Sequence, residues 1–192
     1  MSCRVGVWLI GARGGVSTTV AIGLAALQQD LTGTTGLVSA IEPFASLDLT
    51  GWTDLVIGGH DIRQTTLFEE GKTLAAARVL DRELLDQCRQ RIDAFDANVK
   101  PGVILNSGHA IAELADDRFV IAAQTPRDAI KRIQQDIADF AAAENCDRVV
   151  VVNLASTEPT IDAHDYAEDW ASLEPELTSL QCRLPPSSVY AI

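Results

Sequence analysis

No two of the four cysteines, Cys3, Cys88, Cys146 and Cys182, form a CxxC pair, and none stands beside a histidine at zinc-ligand spacing. This gives no support for a metal site or a disulfide framework, and it points to a reducing, cytoplasmic setting. Positive charge is scarce as well: 15 Lys and Arg face 27 Asp and Glu, for a net charge of −12. Nucleic acids and anionic membranes are held by clustered Lys and Arg, so sequence-independent binding to either is excluded. The apolar stretch Val5–Ile10 is far short of the ~20 residues that span a bilayer, and Gly6 makes it a poor signal-peptide core. Internal repeats and low-complexity tracts are absent.

What is present is enough for one domain: 192 residues, 47% of them hydrophobic, with ordinary charged content. Val5–Ile10 reads as a buried strand that runs at once into Gly11-Ala12-Arg13-Gly14-Gly15-Val16-Ser17-Thr18-Thr19. Glycines admit positive φ and carry no Cβ, so backbone N–H groups can approach a pyrophosphate while the following helix aims its positive end at it. A strict dinucleotide fingerprint would place glycines at 11, 13 and 16, and only Gly11 matches. The competing P-loop reading lacks the lysine before Ser or Thr that would meet the β and γ phosphates. A tight turn without ligand is the third reading.

Downstream, apolar residues among small ones predict a helix from Val16 to Leu27, ended by Thr32–Gly36. Leu37–Ile41 and Asp54–Ile57 read as the second and third strands, closing on Glu42-Pro43 and Gly58–Asp61. Asp81 caps a helix whose Leu84, Leu85, Cys88, Ile92 and Phe95 form one apolar stripe. Thr125-Pro126 opens another, with Ile130, Ile133, Ile137 and Phe140 on one face. Arg148–Val152 suits a central strand buried on both faces. Asp162–Glu176 reads as a solvated acidic helix and loop, and Pro185-Pro186 starts a last helix over Ser187–Ile192. The predicted fold is α/β: a Rossmann-like doubly wound parallel sheet over residues 1–192, incomplete on its C-terminal side.

Several of these segments together resemble the myo-inositol-1-phosphate synthase (inositol-3-phosphate synthase) family. Besides the glycine loop, Asp54–Ile62 is similar to the family's strand ending in Gly-Gly-Trp-Asp-Ile, and Ala77–Asp81 to the segment after it. The helix Ile130–Phe140 followed by Cys146–Glu158 resembles the family's long helix and its strand ending in Ala-Asn-Thr-Glu. Pro186–Ile192 is similar to a later helix start. The resemblance covers the whole chain but only about the first half of a family member. Arg13 stands where a glycine is common, Gly15-Val16 where eukaryotic members have two asparagines, His60 for tryptophan and Ser156 for asparagine.

The resemblance implies NAD as cofactor and glucose 6-phosphate as substrate of the full-length enzyme, converted to 1L-myo-inositol 1-phosphate by oxidation, enolisation, aldol closure and reduction. It implies a homo-oligomer, a tetramer in the family. Lysines near the nicotinamide stabilise the anionic species in these enzymes. They fall beyond this sequence, so no catalytic residue is assigned here and the chain alone is expected to be inactive. Lys72, Lys100 and Lys131 read as solvated. The candidate cofactor-binding residues are Gly11, Gly14, Gly15, Val16, Ser17, Thr18, Asp61, Ala155, Ser156 and Thr157. Asp61 is favoured over Glu42 as the ribose-side acid, and Arg13 is open to phosphate or to solvent. His60, His109 and His164 show no matched acid or nucleophile partner, so plain hydrogen bonding is favoured over a catalytic dyad. The alternative functions are a stand-alone dinucleotide-binding module or pseudoenzyme without turnover and, less favoured, another NAD-linked oxidoreductase.

Overall fold

A parallel four-stranded sheet forms the centre of the fold, with strand order β3-β2-β1-β4. The computed structural model describes residues 3–121, 125–155, 167, 169–179 and 184–192. β1 (Val5–Ile10) lies between β2 (Leu55–Asp61) and β4 (Arg148–Asn153), and β3 (Val99–Pro101) pairs with the far side of β2. Strands covered on both faces read as continuous apolar runs. β1 does so, with Trp8, Leu9 and Ile10 all buried.

α1 (Gly15–Gln28) leads from β1 to β2, and α2 (Leu67–Ala76), α3 (Arg82–Gln87) and α4 (Arg89–Asp96) lead on to β3. α5 (His109–Leu114) and α6 (Pro126–Ala143) carry the chain back across the sheet to β4, followed by α7 (Trp170–Glu176) and α8 (Pro186–Ala191). Right-handed crossovers running outward from β1 and then returning past it place α1–α4 on one face and α6 on the other. On the α6 face, Phe140 lies over two glycines of neighbouring strands. A Cβ at Gly6 would stand 2.6 Å from its ring and one at Gly58 2.8 Å, so the missing side chains let α6 sit close to the sheet. A second apolar cluster of Val103, Ala129, Ile130, Ile133, Leu177 and Val189 joins α6 to α7 and α8. Among the described residues no helix is long and apolar enough to cross a membrane.

Three elements differ from their sequence expectations. Leu37–Ile41 is not a strand: Val38–Ala40 is a 3-10 turn with Val38 and Ile41 exposed. β2 and β4 already occupy both edges of β1, leaving that short run no strand to join there. The single helix after Asp81 is two helices that meet at Cys88, although the Asp81 cap on Leu84 N–H stands at 2.9 Å and Leu85, Cys88, Ile92 and Phe95 are buried as one stripe. β4 is an edge strand rather than a central one, and Val150 and Val151, on opposite faces, are each 45% exposed. The proline start of α6 at Thr125-Pro126 stands as expected, and the structure adds a capping box between Thr125 and Asp128.

Candidate nucleotide-binding site

The strand order reverses at β1. Connections run outward to β2 and β3, and the chain then returns to β4 on the other side, leaving a crevice at the strands' C-terminal ends where open parallel sheets hold ligands. A cleft of about 290 Å³ opens there, lined by Gly11, Gly14 and Gly15, by Asp61–Arg63 after β2 and by Asn153–Ala155 after β4. Ser107 and Tyr190 line it as well.

The glycine loop is held from below. Gly11 has φ +80°, and a Cβ on it would come within 3.2 Å of the Ala155 backbone, so the position requires glycine on both counts. The Gly11 and Ala12 N–H groups donate to the His60 carbonyl at 2.9 and 3.0 Å. Arg13 N–H donates to Asp61 Oδ2 at 2.7 Å, while Asp61 Oδ1 accepts from the N–H groups of Ile62 and Arg63 at 2.8 and 2.9 Å.

α1 begins with Gly14 as N-cap, with no side-chain cap and no acidic residue in its first turn. Thr18 N–H bonds the Gly14 carbonyl at 2.9 Å as the helix ladder begins, so the N–H groups of Gly15, Val16 and Ser17 precede the ladder and have no i−4 carbonyl in the helix. Donors at the positive end of a helix dipole, with no carboxylate to answer them, form an anion site. This is the observation of the structure that a pyrophosphate-bearing cofactor fits.

The candidate side chains divide sharply. Gly11, Gly14, Gly15, Asp61 and Ala155 line the cleft. Val16 is exposed and brings only its backbone to the first turn. Ser17 Oγ–H donates to the Gly11 carbonyl at 2.7 Å, so the hydroxyl braces the loop. Thr18 is fully buried and its hydroxyl has no partner among the described residues; neither residue lines the cleft. Ser156 and Thr157 lie outside the described residues. Glu42 is exposed and away from the cleft.

Arg13 is buried and does not line the cleft. Its guanidinium is buried against Asp96, with Nε and one terminal nitrogen each 3.0 Å from a carboxylate oxygen. The other terminal nitrogen donates to the Arg63 carbonyl at 2.8 Å, and the group lies 4.4 Å over the Phe119 ring. Arg63 in turn donates to the Arg13 carbonyl. Arg13 thus ties the loop to α4.

His60 does have a partner, contrary to the sequence reading. Trp8 Nε1–H donates to His60 Nδ1 at 3.1 Å, which puts the neutral imidazole's proton on Nε2, 3.2 Å from Asp136 Oδ2. Arg132 Nε donates to both Asp136 oxygens at 3.0 and 3.1 Å. Burial holds the His60 pKa below its ordinary value, outweighing Asp136, which acts to raise it. For Asp136, burial acts upward but the bonds from His60 and Arg132 prevail and lower its pKa. Tyr190 packs 5.5 Å from the His60 ring, and its oxygen accepts from Val103 N–H at 3.2 Å; burial drives its pKa up. Asp136 belongs to a helix 76 residues from His60 in sequence, and no local pattern announces that pair. His109 sits beside Glu113 at the surface, and His164 lies outside the described residues.

A family model described as myo-inositol-1-phosphate synthase, the family's NAD-binding domain, matches residues 5–192. Inositol-3-phosphate synthase 1 of Bacteroides thetaiotaomicron is 29% identical over 98% of this chain and 45% of its own length. The fold matches that of inositol-3-phosphate synthase from Caenorhabditis elegans with a TM-score of 0.81 at 19% identity, over 100% of this chain and 42% of that one. A myo-inositol-1-phosphate synthase-related protein from Thermotoga maritima gives a TM-score of 0.63 at 21% identity, over 98% and 43%. The chain spans less than half the length of these relatives.

Proposed function

We propose that this chain, which belongs to the myo-inositol-1-phosphate synthase family, is the NAD-binding part of an inositol-3-phosphate synthase, with the cofactor's pyrophosphate on the first turn of α1. The observation that carries the reading is the uncapped, acid-free start of α1, opening through Gly11, Gly14 and Gly15 into the crevice where the strand order reverses. NAD, when bound, supplies the hydride acceptor and later the donor for the sugar chemistry. The chain's own residues bind and orient it. N–H groups of the first turn meet the phosphates, Gly11 lets the β4 exit approach at Ala155, and Asp61 acts through the loop by holding Arg13, Ile62 and Arg63 in place.

The full-length protein's reaction would be conversion of glucose 6-phosphate to 1L-myo-inositol 1-phosphate, in the cytoplasm and as a homo-oligomer. The cations for that chemistry are assigned to the half of the family fold this chain does not span. In line with this, neither Lys72, Lys100 nor Lys131 lines the cleft. The same lack of a lysine weighs against a P-loop. Titration calorimetry tests the reading: NAD is expected to bind one to one, and Mg-ATP not to bind. No heat with NAD, or tight binding of Mg-ATP, would overturn it.

A further inference from the structure

We propose that Arg63 is a positioning residue for the cofactor, acting through the Arg13 carbonyl to keep N–H groups, rather than a carbonyl, turned to the pyrophosphate at the start of α1; the inference rests on the NAD reading above. The two arginines clasp each other. Arg13 donates from a terminal nitrogen to the Arg63 carbonyl at 2.8 Å, and Arg63 donates from one of its own to the Arg13 carbonyl. Each guanidinium is backed by an acid, Arg13 by Asp96 at 3.0 Å and Arg63 by Asp61 at 3.4 Å.

The clasp fixes a peptide that its own glycine would leave free to turn. The unit joining Arg13 to Gly14 carries one donor, which bonds the Gly11 carbonyl at 3.0 Å, and one acceptor, which Arg63 holds. Gly14 is the N-cap of α1 and Gly15 its first residue. Glycine admits the backbone angles that a turned-over peptide imposes. Released from Arg63, the carbonyl would be free to swing toward the cleft and set its negative end against the phosphates, and the direction of the first-turn N–H groups would no longer be fixed.

The competing role for Arg63 is a direct charge contact with phosphate, since it lines the cleft and its side chain is 31% exposed. Its surroundings favour positioning. Asp61 at 3.4 Å and Glu70 at 3.8 Å answer the charge inside the protein. The planar fork of a guanidinium spans a carboxylate and a carbonyl at once, which is the geometry Arg63 uses here.

The test titrates NAD by calorimetry into the 192-residue protein, Arg63→Met, Arg63→Lys and, as a control, Arg82→Met, which removes an exposed pair with Asp86 on α3. Titrations run over a series of salt concentrations and well below each melting temperature, so that loss of fold does not enter. Arg63→Met is expected to weaken NAD about 3- to 10-fold, the cost of ordering a loosened group on binding, and Arg82→Met to leave it unchanged. Arg63→Lys should be weakened as well, because an ammonium keeps the charge but not the fork. The salt dependence should be the same in all four proteins, since no charge contact with the phosphates is removed. Unchanged affinity in Arg63→Met, full affinity in Arg63→Lys, or a salt dependence that weakens with loss of the charge would overturn the assignment, the last two making Arg63 a direct partner of the phosphates. If Arg63→Met does not fold, Arg63→Lys decides in the same way. If the unaltered protein binds no NAD, the NAD reading falls and this inference with it; if it binds NAD and both Arg63 variants bind equally well, only the inference falls.

Discussion

His60 Nε2 lies 3.2 Å from Asp136 Oδ2 with both side chains closed to solvent, so the floor of the cleft is tied to α6 through a neutral imidazole and an ionised carboxylate. The pair sets a pH dependence. The unfolded chain takes up a proton on this histidine near pH 6.5, whereas burial in the folded protein holds the His60 pKa below that value. The unfolded state therefore binds more protons in this interval, and stability falls as pH drops below about 6.5. Urea midpoints should rise from about pH 5 to 6.5, and His60→Gln should flatten that slope. The same slope in both proteins would contradict the assignment.

Gly58 is expected to reject a methyl group. A Cβ there would stand 2.8 Å from Phe140 and 2.9 Å from Trp8, both ring atoms in the packed α6 face. Gly58→Ala should cost about 1–3 kcal/mol by overpacking. Because the clash is with Phe140, the double variant Gly58→Ala, Phe140→Ala should lose less than the sum of the single losses. Denaturant unfolding of the three variants checks this.

Asp96→Asn should destabilise by about 3 kcal/mol, the lower end for breaking a buried ion pair, since Arg13 keeps its bond to the Arg63 carbonyl and its contact with Phe119. Arg13 belongs to the glycine loop, so NAD affinity should fall as well. Loss of stability with unchanged NAD affinity would separate this brace from the cleft.

The purified chain is expected to form no inositol phosphate from glucose 6-phosphate: stabilising enolate or alkoxide charge needs placed cations, and the cation that lines the cleft among the described residues, Arg63, is already bonded to Asp61 and the Arg13 carbonyl. Phosphate-product analysis after long incubation with NAD is the check. Turnover would place catalytic groups within these residues.

The parts of the fold that were legible in sequence are those with local signals. Val5–Ile10 is a continuous apolar run, Thr125-Pro126 is a proline helix start, and the glycine loop states its own backbone demands. Leu37–Ile41 misled because an apolar run carries no information about which strand edges remain free. Arg148–Val152 misled for the same reason: its composition suits burial, and its place at the sheet edge follows from strand order alone. Within the site, the turn at Gly11 and the helix start after Gly14 were legible, but the side-chain contacts were not. Ser17, Arg13 and Asp61 turn inward onto Gly11, Asp96 and the loop N–H groups, and those partners are set by folding rather than by spacing.

Gly15→Asp is the most direct test of the central claim that the start of α1 holds the pyrophosphate. A Cβ at Gly15 meets only Leu74 Cδ2, at ordinary contact distance of 3.7 Å, and a carboxylate in a helix's first turn is favourable by about 0.3–1 kcal/mol. The variant should therefore fold with unchanged or slightly raised stability. Its negative charge would occupy the anion site, so NAD affinity measured by calorimetry should drop by more than about tenfold, the equivalent of 1.4 kcal/mol. A folded Gly15→Asp protein that binds NAD as tightly as the unaltered chain would contradict the account.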